Sequence, residues 1–267
     1  MSVMGELSLK IMSWNVNGLG DKLKRGIVIA YIKRHDPDIV LLQETHMLGN
    51  LCKSMDRKGY HMVSHSGFTT NSRGVGILVR RSLPLVISQV GGDRLGCLTY
   101  LHGSWEGEGI NIISIYNPPR LHENTFRELG GVLTRLPPGH LILGGDMNLV
   151  LENSKDRWPV PSGVRGRSLL GDFLRAMGLV DIWREHNPVG SQYSFHSGVH
   201  GSVSRIDYLI TQIGKEQDFR QPKYLARGIS DHSPVEVKLK IRRDRMRSVI
   251  RINPWYLGRP EIQTHLR

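Results

Sequence analysis

Six short stretches of this chain finish apolar runs with carboxylates, amides or a histidine. They are Asn15-Val16-Asn17-Gly18, Gln43-Glu44-Thr45, Tyr116-Asn117-Pro118, Gly144-Gly145-Asp146-Met147-Asn148, Arg205-Ile206-Asp207-Tyr208 and Ser230-Asp231-His232. Glu44 follows Val40-Leu41-Leu42, a run that should be buried. A carboxylate at the end of such a run costs free energy unless it is paired or metal-bound. Hard cations such as Mg²⁺ take carboxylate oxygens, so Glu44 is a candidate metal ligand; taken alone, an exposed strand-end Glu is the commoner outcome. Asp146 can accept a proton from water, and Asn148 can hold that water or a phosphate oxygen. Gly144 and Gly145 would let a ligand backbone or phosphate come close. The competing reading of Asp-x-Asn is an Asx-turn. Asp207 and Asp231 are both candidates to sit on an imidazole nitrogen of His232, where a carboxylate raises basicity and fixes the tautomer. Protonated, His232 would stabilise a developing oxyanion. Asn15, Asn17 and Tyr116 are weak signals singly, since strand-end amides usually cap turns and a strand-end Tyr usually packs.

The elements that must position these groups can be read from periodicity. Strand-like apolar runs fall at 9–15, 38–42, 75–79, 110–116, 140–143, 204–210 and 235–241. Helical spacing is seen at 22–34, 122–136 and 167–177. Short β-branched runs with turn signals, mixed with helices, predict α+β packing. Most of these strands finish in a polar group, so strands ending at one rim of a sandwich would bring the groups together. Residues 191–205, rich in Gly, Ser and His, read as a hairpin. The pattern gives way near residue 240 to Arg-rich sequence, which suggests a domain over 1–241 and a basic tail over 242–267.

At 267 residues the chain suits one large α/β domain or two small ones. Cys52 and Cys97 are too few for a disulfide framework and sit in no C-x-x-C pattern, so a zinc site is not expected. A reducing intracellular compartment is the expectation. No apolar run reaches transmembrane length, the N-terminus shows no signal-peptide core, and no membrane partner is expected. The net charge of +12 favours a polyanionic partner. Residues 238–251 carry +6 and 252–267 carry +1, which leaves +5 on residues 1–237. A basic body around acidic candidate residues implies a cation among those acids.

Taken together and in order, the six motifs resemble those of the endonuclease/exonuclease/phosphatase superfamily, which includes apurinic endonucleases and DNase I-like nucleases. A finer resemblance is to the apurinic-type endonuclease domain of LINE-type (non-LTR) retrotransposon polyproteins. It rests on Trp14-Asn15-Val16-Asn17-Gly18-Leu19, Leu41-Leu42-Gln43-Glu44-Thr45-His46, Gly178-Leu179-Val180-Asp181-Ile182-Trp183, Gln192-Tyr193-Ser194-Phe195-His196-Ser197 and Ser204-Arg205-Ile206-Asp207-Tyr208. The resemblance implies a DNase I-like four-layer α/β-sandwich, two packed mixed β-sheets flanked by helices. It implies Glu44 as the main metal ligand, with Asn15 nearby and Asp231 in support, for Mg²⁺ with Mn²⁺ able to substitute. Asp146 would orient or deprotonate the attacking water, Asn148 and Tyr116 would contact the scissile phosphate, and His232 with Asp207 would stabilise the transition state.

Residues near DNA by the same resemblance are Asn17, Asn117, Arg157, Ser194, Ser204 and Ile206, with the 191–205 hairpin entering the minor groove. The implied activity is a nick in one strand of double-stranded DNA, leaving a 3′-hydroxyl that primes reverse transcription. The partner is a covalently following reverse transcriptase region, and Asn253-Pro254-Trp255-Tyr256 resembles the start of that linker. The place of action is the nucleus, after synthesis in the cytoplasm. Alternatives on the same fold are an abasic-site repair endonuclease or a phosphoinositide or sphingomyelin phosphodiesterase. Asn17 stands where cellular apurinic endonucleases often carry Asp, which tilts the reading away from dedicated repair.

Overall fold

The computed structural model describes residues 7–49, 54–56, 59–160, 168–199 and 201–241. The expected basic tail, its Asn253-Pro254-Trp255-Tyr256 segment and Cys52 lie outside them. The compact unit Ser8–Lys240 carries the site described below.

Alternation along the strands builds two mixed six-stranded sheets. The first runs in the order Phe219–Tyr224, Val235–Ile241, Leu7–Asn15, Ile39–Gln43, Val75–Arg80, Tyr60–Ser66. The second runs Leu179–Asp181, Asp207–Gln212, His140–Asp146, Glu108–Tyr116, Leu98–Trp105, Leu85–Gly92. In the first sheet, Met12, Trp14, Val40 and Leu42 point outward, onto Val28, Ile29 and Ile32 of the helix Lys22–His35. In the second, Ile113, Ile115, Leu141, Leu143, Tyr208 and Ile210 point outward into a cluster with Phe126 and Leu129 of His122–Leu133 and with Leu170 and Leu174 of Leu169–Ala176. With a side-chain period of two, the alternate residues face the seam between the sheets. The layers are thus helix, sheet, sheet, helix, as the resemblance implied.

Polar bonds cross the seam near its end. Gln43 donates through Nε2 to Ser114 Oγ at 3.1 Å, and Ser114 Oγ donates to Leu42 O at 3.0 Å. The sheets come close at Gly144, where an added Cβ would lie 2.5 Å from Leu41 Cδ1. At Gly145 an added Cβ would lie 1.8 Å from Ile115 O. Both glycines are buried. Their lack of a side chain serves strand and sheet packing, which corrects the expectation that they admit a ligand.

A third sheet joins Phe195–Ser197, Ser202–Ser204 and Arg157–Trp158. It contains the expected hairpin and places Arg157 beside it. The strand expected over 204–210 is in fact broken. Ser202–Ser204 belongs to the hairpin and Asp207–Gln212 to the second sheet, because Arg205 turns inward and Ser194 Oγ accepts from the N–H of both Ile206 and Asp207 at 3.0 Å. Periodicity missed Tyr60–Ser66, Leu85–Gly92, Leu98–Trp105, Leu179–Asp181 and Phe219–Tyr224. Four of these, all but Leu98–Trp105, are edge strands, and two have visibly weak patterns: Leu85–Gly92 is mostly exposed on both faces, and Phe219–Tyr224 holds Pro222.

Candidate active site

Register decides which strand ends meet. Asp146 pairs with Tyr116 on one side and Asp207 on the other, so these three stand abreast in the second sheet. Asn15 ends the first sheet's neighbouring strand, abreast of Gln43, and Glu44 follows.

One local device recurs at these ends. Asn15 Oδ1 accepts from the backbone N–H of Asn17 at 3.0 Å, and Asp146 Oδ1 accepts from that of Asn148 at 2.8 Å. Asn17, Asn148 and Glu44 all have left-handed backbone, with φ of 47°, 49° and 48°. Ser230 Oγ contacts the N–H of His232 in the same way at 3.2 Å. These are Asx-type turns, so the turn reading of Asp146 and Asn148 is correct, and the same turns aim the side chains into the seam. Gly18 belongs to this packing, since a Cβ there would lie 2.9 Å from His46 Nδ1.

The polar groups form a connected set. Asn15 Nδ2 donates to Glu44 Oε1 and to Asp146 Oδ2, each at 2.9 Å, and so bridges the two sheets. The Tyr116 hydroxyl bonds with Glu44 and Asn148, and its pKa is driven up by burial and then by the charges of Glu44 and Asp146. His232 Nδ1 meets Asp207 Oδ2 at 2.8 Å, while Nε2 faces Asp146 Oδ2 at 3.9 Å. Asp207, not the adjacent Asp231, is therefore the carboxylate on the imidazole. Burial alone would lower the pKa of His232, but Asp207, then Asp146 and Asp231, push it up to about 10. Burial, and then Asp207, push Asp146 up to about 7 against the pull of His232. Asp231 instead accepts from Asn17 Nδ2 at 3.1 Å and Ser230 Oγ at 3.3 Å.

Several groups that the motifs contained without an assigned role also take part, together with Lys24, which no motif contained. Trp14 Nε1 donates to His232 O at 3.1 Å, Ser230 Oγ donates to Asn15 O at 2.7 Å, and the Phe195 ring lies 4.9 Å from the His232 ring. Lys24 donates to Asn17 O and lies in the fields of Asp231 and Glu44. Its helical phase would have marked it only once the adjacent loop was known.

Of the residues expected near DNA, Asn17 and Arg157 are accessible. Asn117, Ser194, Ser204 and Ile206 are buried. Asn117 Nδ2 is spent on Met147 O, and the Ser194 hydroxyl holds the start of the Asp207 strand. Direct DNA contact by those two side chains is replaced by a positioning role.

The donor set suits a hard cation. Four carboxylates, Glu44, Asp146, Asp207 and Asp231, gather around the imidazole of His232 and the ammonium of Lys24, with the His46 imidazole 3.6 Å from Glu44, and one buried oxygen, Asp207 Oδ1, has no hydrogen-bond partner among the described residues. Asp146, Asp207 and His232 place ligand atoms within 4.8 Å of one another, but His232 Nδ1 is already committed to Asp207. Glu44 and Asn15 offer oxygen donors without breaking that pair.

A family model described as Endonuclease/Exonuclease/phosphatase family matches residues 12–232. The chain is 26% identical over 240 residues to the transposon TX1 uncharacterized 149 kDa protein of Xenopus laevis, covering 88% of this chain and 18% of that protein's length. Among solved structures it resembles the AP endonuclease LMAP of Leishmania major, with TM-score 0.70 and 18% identity over 88% of each chain. It also resembles the endonuclease domain of TRAS1, a telomere-specific non-LTR retrotransposon, with TM-score 0.62 and 15% identity over 86% of this chain and 98% of that one.

Proposed function

This chain belongs to the Endonuclease/Exonuclease/phosphatase family, and we propose that within it the protein is a Mg²⁺-dependent DNA endonuclease that nicks one strand of a duplex and leaves a 3′-hydroxyl. The observation that carries this reading is the facing pair across the seam: Asp146, poised near neutrality, opposite a His232 held protonated by Asp207. His232 Nε2 and Asp146 Oδ2 face each other at 3.9 Å, so a base for the attacking water and a donor for the developing phosphoryl charge are presented side by side. Asp146 takes the proton of the attacking water. His232, Asn148 and Tyr116 hold the phosphoryl oxygens as charge builds on them. Glu44 and Asn15, with Asp231 in support, would hold the metal, whose charge would polarise the phosphate and offset that of the leaving oxygen.

The resemblance to a transposon protein supports a role in retrotransposition, with the new 3′-hydroxyl priming reverse transcription on chromosomal DNA in the nucleus. The test is incubation of the chain with supercoiled plasmid in Mg²⁺ and in EDTA, followed by end analysis of the nicks. Relaxed circles bearing 3′-hydroxyl ends in Mg²⁺ alone are expected. Intact plasmid beside phosphate released from a phosphoinositide would overturn the reading, and cleavage confined to abasic sites would move it to repair.

A further inference from the structure

We propose that the rim carries a second contact for duplex DNA, beside Glu44 and Tyr116: an apolar wedge of Phe68, Leu95 and Leu48 flanked by the guanidinium groups of Arg73 and Arg94. It rests on the nuclease reading above and extends it to a surface that none of the six motifs contains.

The wedge is built onto the site by backbone bonds. The N–H groups of Thr45 and His46, next to Glu44, donate to Gly74 O and Arg73 O at 2.9 and 2.8 Å. Gly74 N in turn donates to Gly96 O at 2.9 Å, and Tyr116 N donates to Cys97 O at 2.8 Å. The loop bearing Phe68 and Arg73 and the turn bearing Arg94 and Leu95 thus border Glu44 and Tyr116 directly. The hairpin sheet is attached at the other end, through Ser194 at Asp207 and Phe195 at His232. The candidate catalytic groups lie between these two surfaces.

The chemistry of the patch suits a polyanion with an apolar groove floor. Phe68, Leu48 and Leu95 are 42%, 39% and 37% exposed. Large apolar groups left together in water at the edge of a site mark an interaction surface. The Arg73 guanidinium lies 4.2 Å from the Phe68 ring centre and donates to Leu95 O at 3.3 Å, so cation and ring are presented as one unit. Arg94 is exposed. The one acid in residues 67–74 and 93–96 is Asp93. Its carboxylate accepts from Ser66 Oγ and from the N–H groups of Cys97 and Leu98. The patch therefore turns apolar and positive surface outward.

Strands lie about 4.8 Å apart, so this surface is within roughly two spacings of a phosphate held by Tyr116. A duplex whose scissile phosphate sits at Tyr116 would carry its neighbouring backbone and groove over this surface.

The test measures binding of the full chain to a duplex in EDTA, across a series of salt concentrations. Wild type is compared with Arg73→Gln/Arg94→Gln, with Phe68→Ser, and with Arg94→Gln alone as a change at an exposed side chain that spares the fold. The double variant is expected to bind about tenfold more weakly at about 0.1 M salt, with the log–log salt slope reduced by about one for each Arg removed. Phe68→Ser is expected to weaken binding without changing the slope, because the ring carries no charge. Wild-type binding with the variants equal to it in affinity and slope would overturn the proposal and leave the nuclease reading standing. A wild-type chain that neither binds nor nicks duplex DNA would overturn both. Variants that bind DNA normally but lose self-association in sedimentation would reassign the patch to a second copy.

Discussion

At the scale of single residues, the site works by setting two titrations apart. In the proposed mechanism Asp146 must be ionised to take a proton, so the nicking rate is expected to rise as pH climbs through about 7. His232 must be protonated to stabilise charge, so the rate is expected to fall as pH rises through about 10. Asp207→Asn removes the carboxylate that most raises His232, and the falling limb is expected to move to lower pH. The rising limb should follow in the same direction, since Asp207 also raises Asp146. A pH–rate profile checks this; a lowered plateau with both limbs unmoved would mean that Asp207 acts only as packing. His232→Ala should lower the rate by roughly 10²–10³-fold, and Asp146→Ala by roughly 10²–10⁴-fold. Duplex binding should persist in both, because it rests on Lys and Arg contacts with phosphates. Near wild-type nicking by either variant would remove that residue from the mechanism.

At the scale of elements, the hairpin sheet and the Asp207 strand are locked together by a buried ion cluster. Arg205 is fully buried and donates through Nε to Asp156 Oδ1 at 2.8 Å, through its Nη2 to Asp156 Oδ2 at 3.1 Å, and through its Nη1 to Asp181. Arg184 adds a third arginine bond to Asp156 at 2.6 Å, and the Arg205 guanidinium lies near the Trp183 and Tyr208 rings. Arg205→Met would leave Asp181 and part of Asp156 buried without a counterion, and should cost about 3–5 kcal/mol in urea unfolding. A loss below about 1 kcal/mol would show that water or Arg184 takes over. Arg157 and the hairpin share one sheet, so the proposed contact with DNA would be made by both as a unit. Exchanging residues 191–205 for those of a related domain should redistribute nick positions more than it changes total nicking, because phosphate-directed residues carry no sequence information. Nick mapping on a random duplex pool reads this directly, and an unchanged pattern would exclude the hairpin as the reader.

At the scale of the whole molecule, the site is a seam between two sheets. Asn15 and Glu44 come from one and Tyr116, Asp146 and Asp207 from the other, joined through Asn15 Nδ2. A cation bound there binds only the folded arrangement, and at 100 times its dissociation constant it adds about 2.7 kcal/mol of stability. Mg²⁺ should therefore raise the melting temperature of the wild-type chain relative to EDTA, and Glu44→Gln should abolish the shift. A shift retained by Glu44→Gln would move the metal to other ligands.

The order of strand-end carboxylates and amides, the helix–strand pattern of the long buried elements and the polar turns that end them were legible in the sequence, because each depends on neighbours within a few residues. Val235–Ile241 and the start of Lys22–His35 were read to the residue for that reason. What only the tertiary structure decided depends on groups far apart along the chain. Register placed Asp146 between Tyr116 and Asp207, and so brought His232 to the carboxylate of Asp207, 25 positions away, the partner that the family resemblance implied and that the local sequence left open against the neighbouring Asp231. Close approach of strands turned Gly144 and Gly145 from ligand-facing into packing residues, and burial turned Ser194 from a surface hydroxyl into the acceptor that starts the Asp207 strand. Edge strands such as Leu85–Gly92 left little pattern to read because no buried face selects for one. Local chemistry can be written in the order of residues; burial, pairing and field strength exist only once distant strands lie side by side.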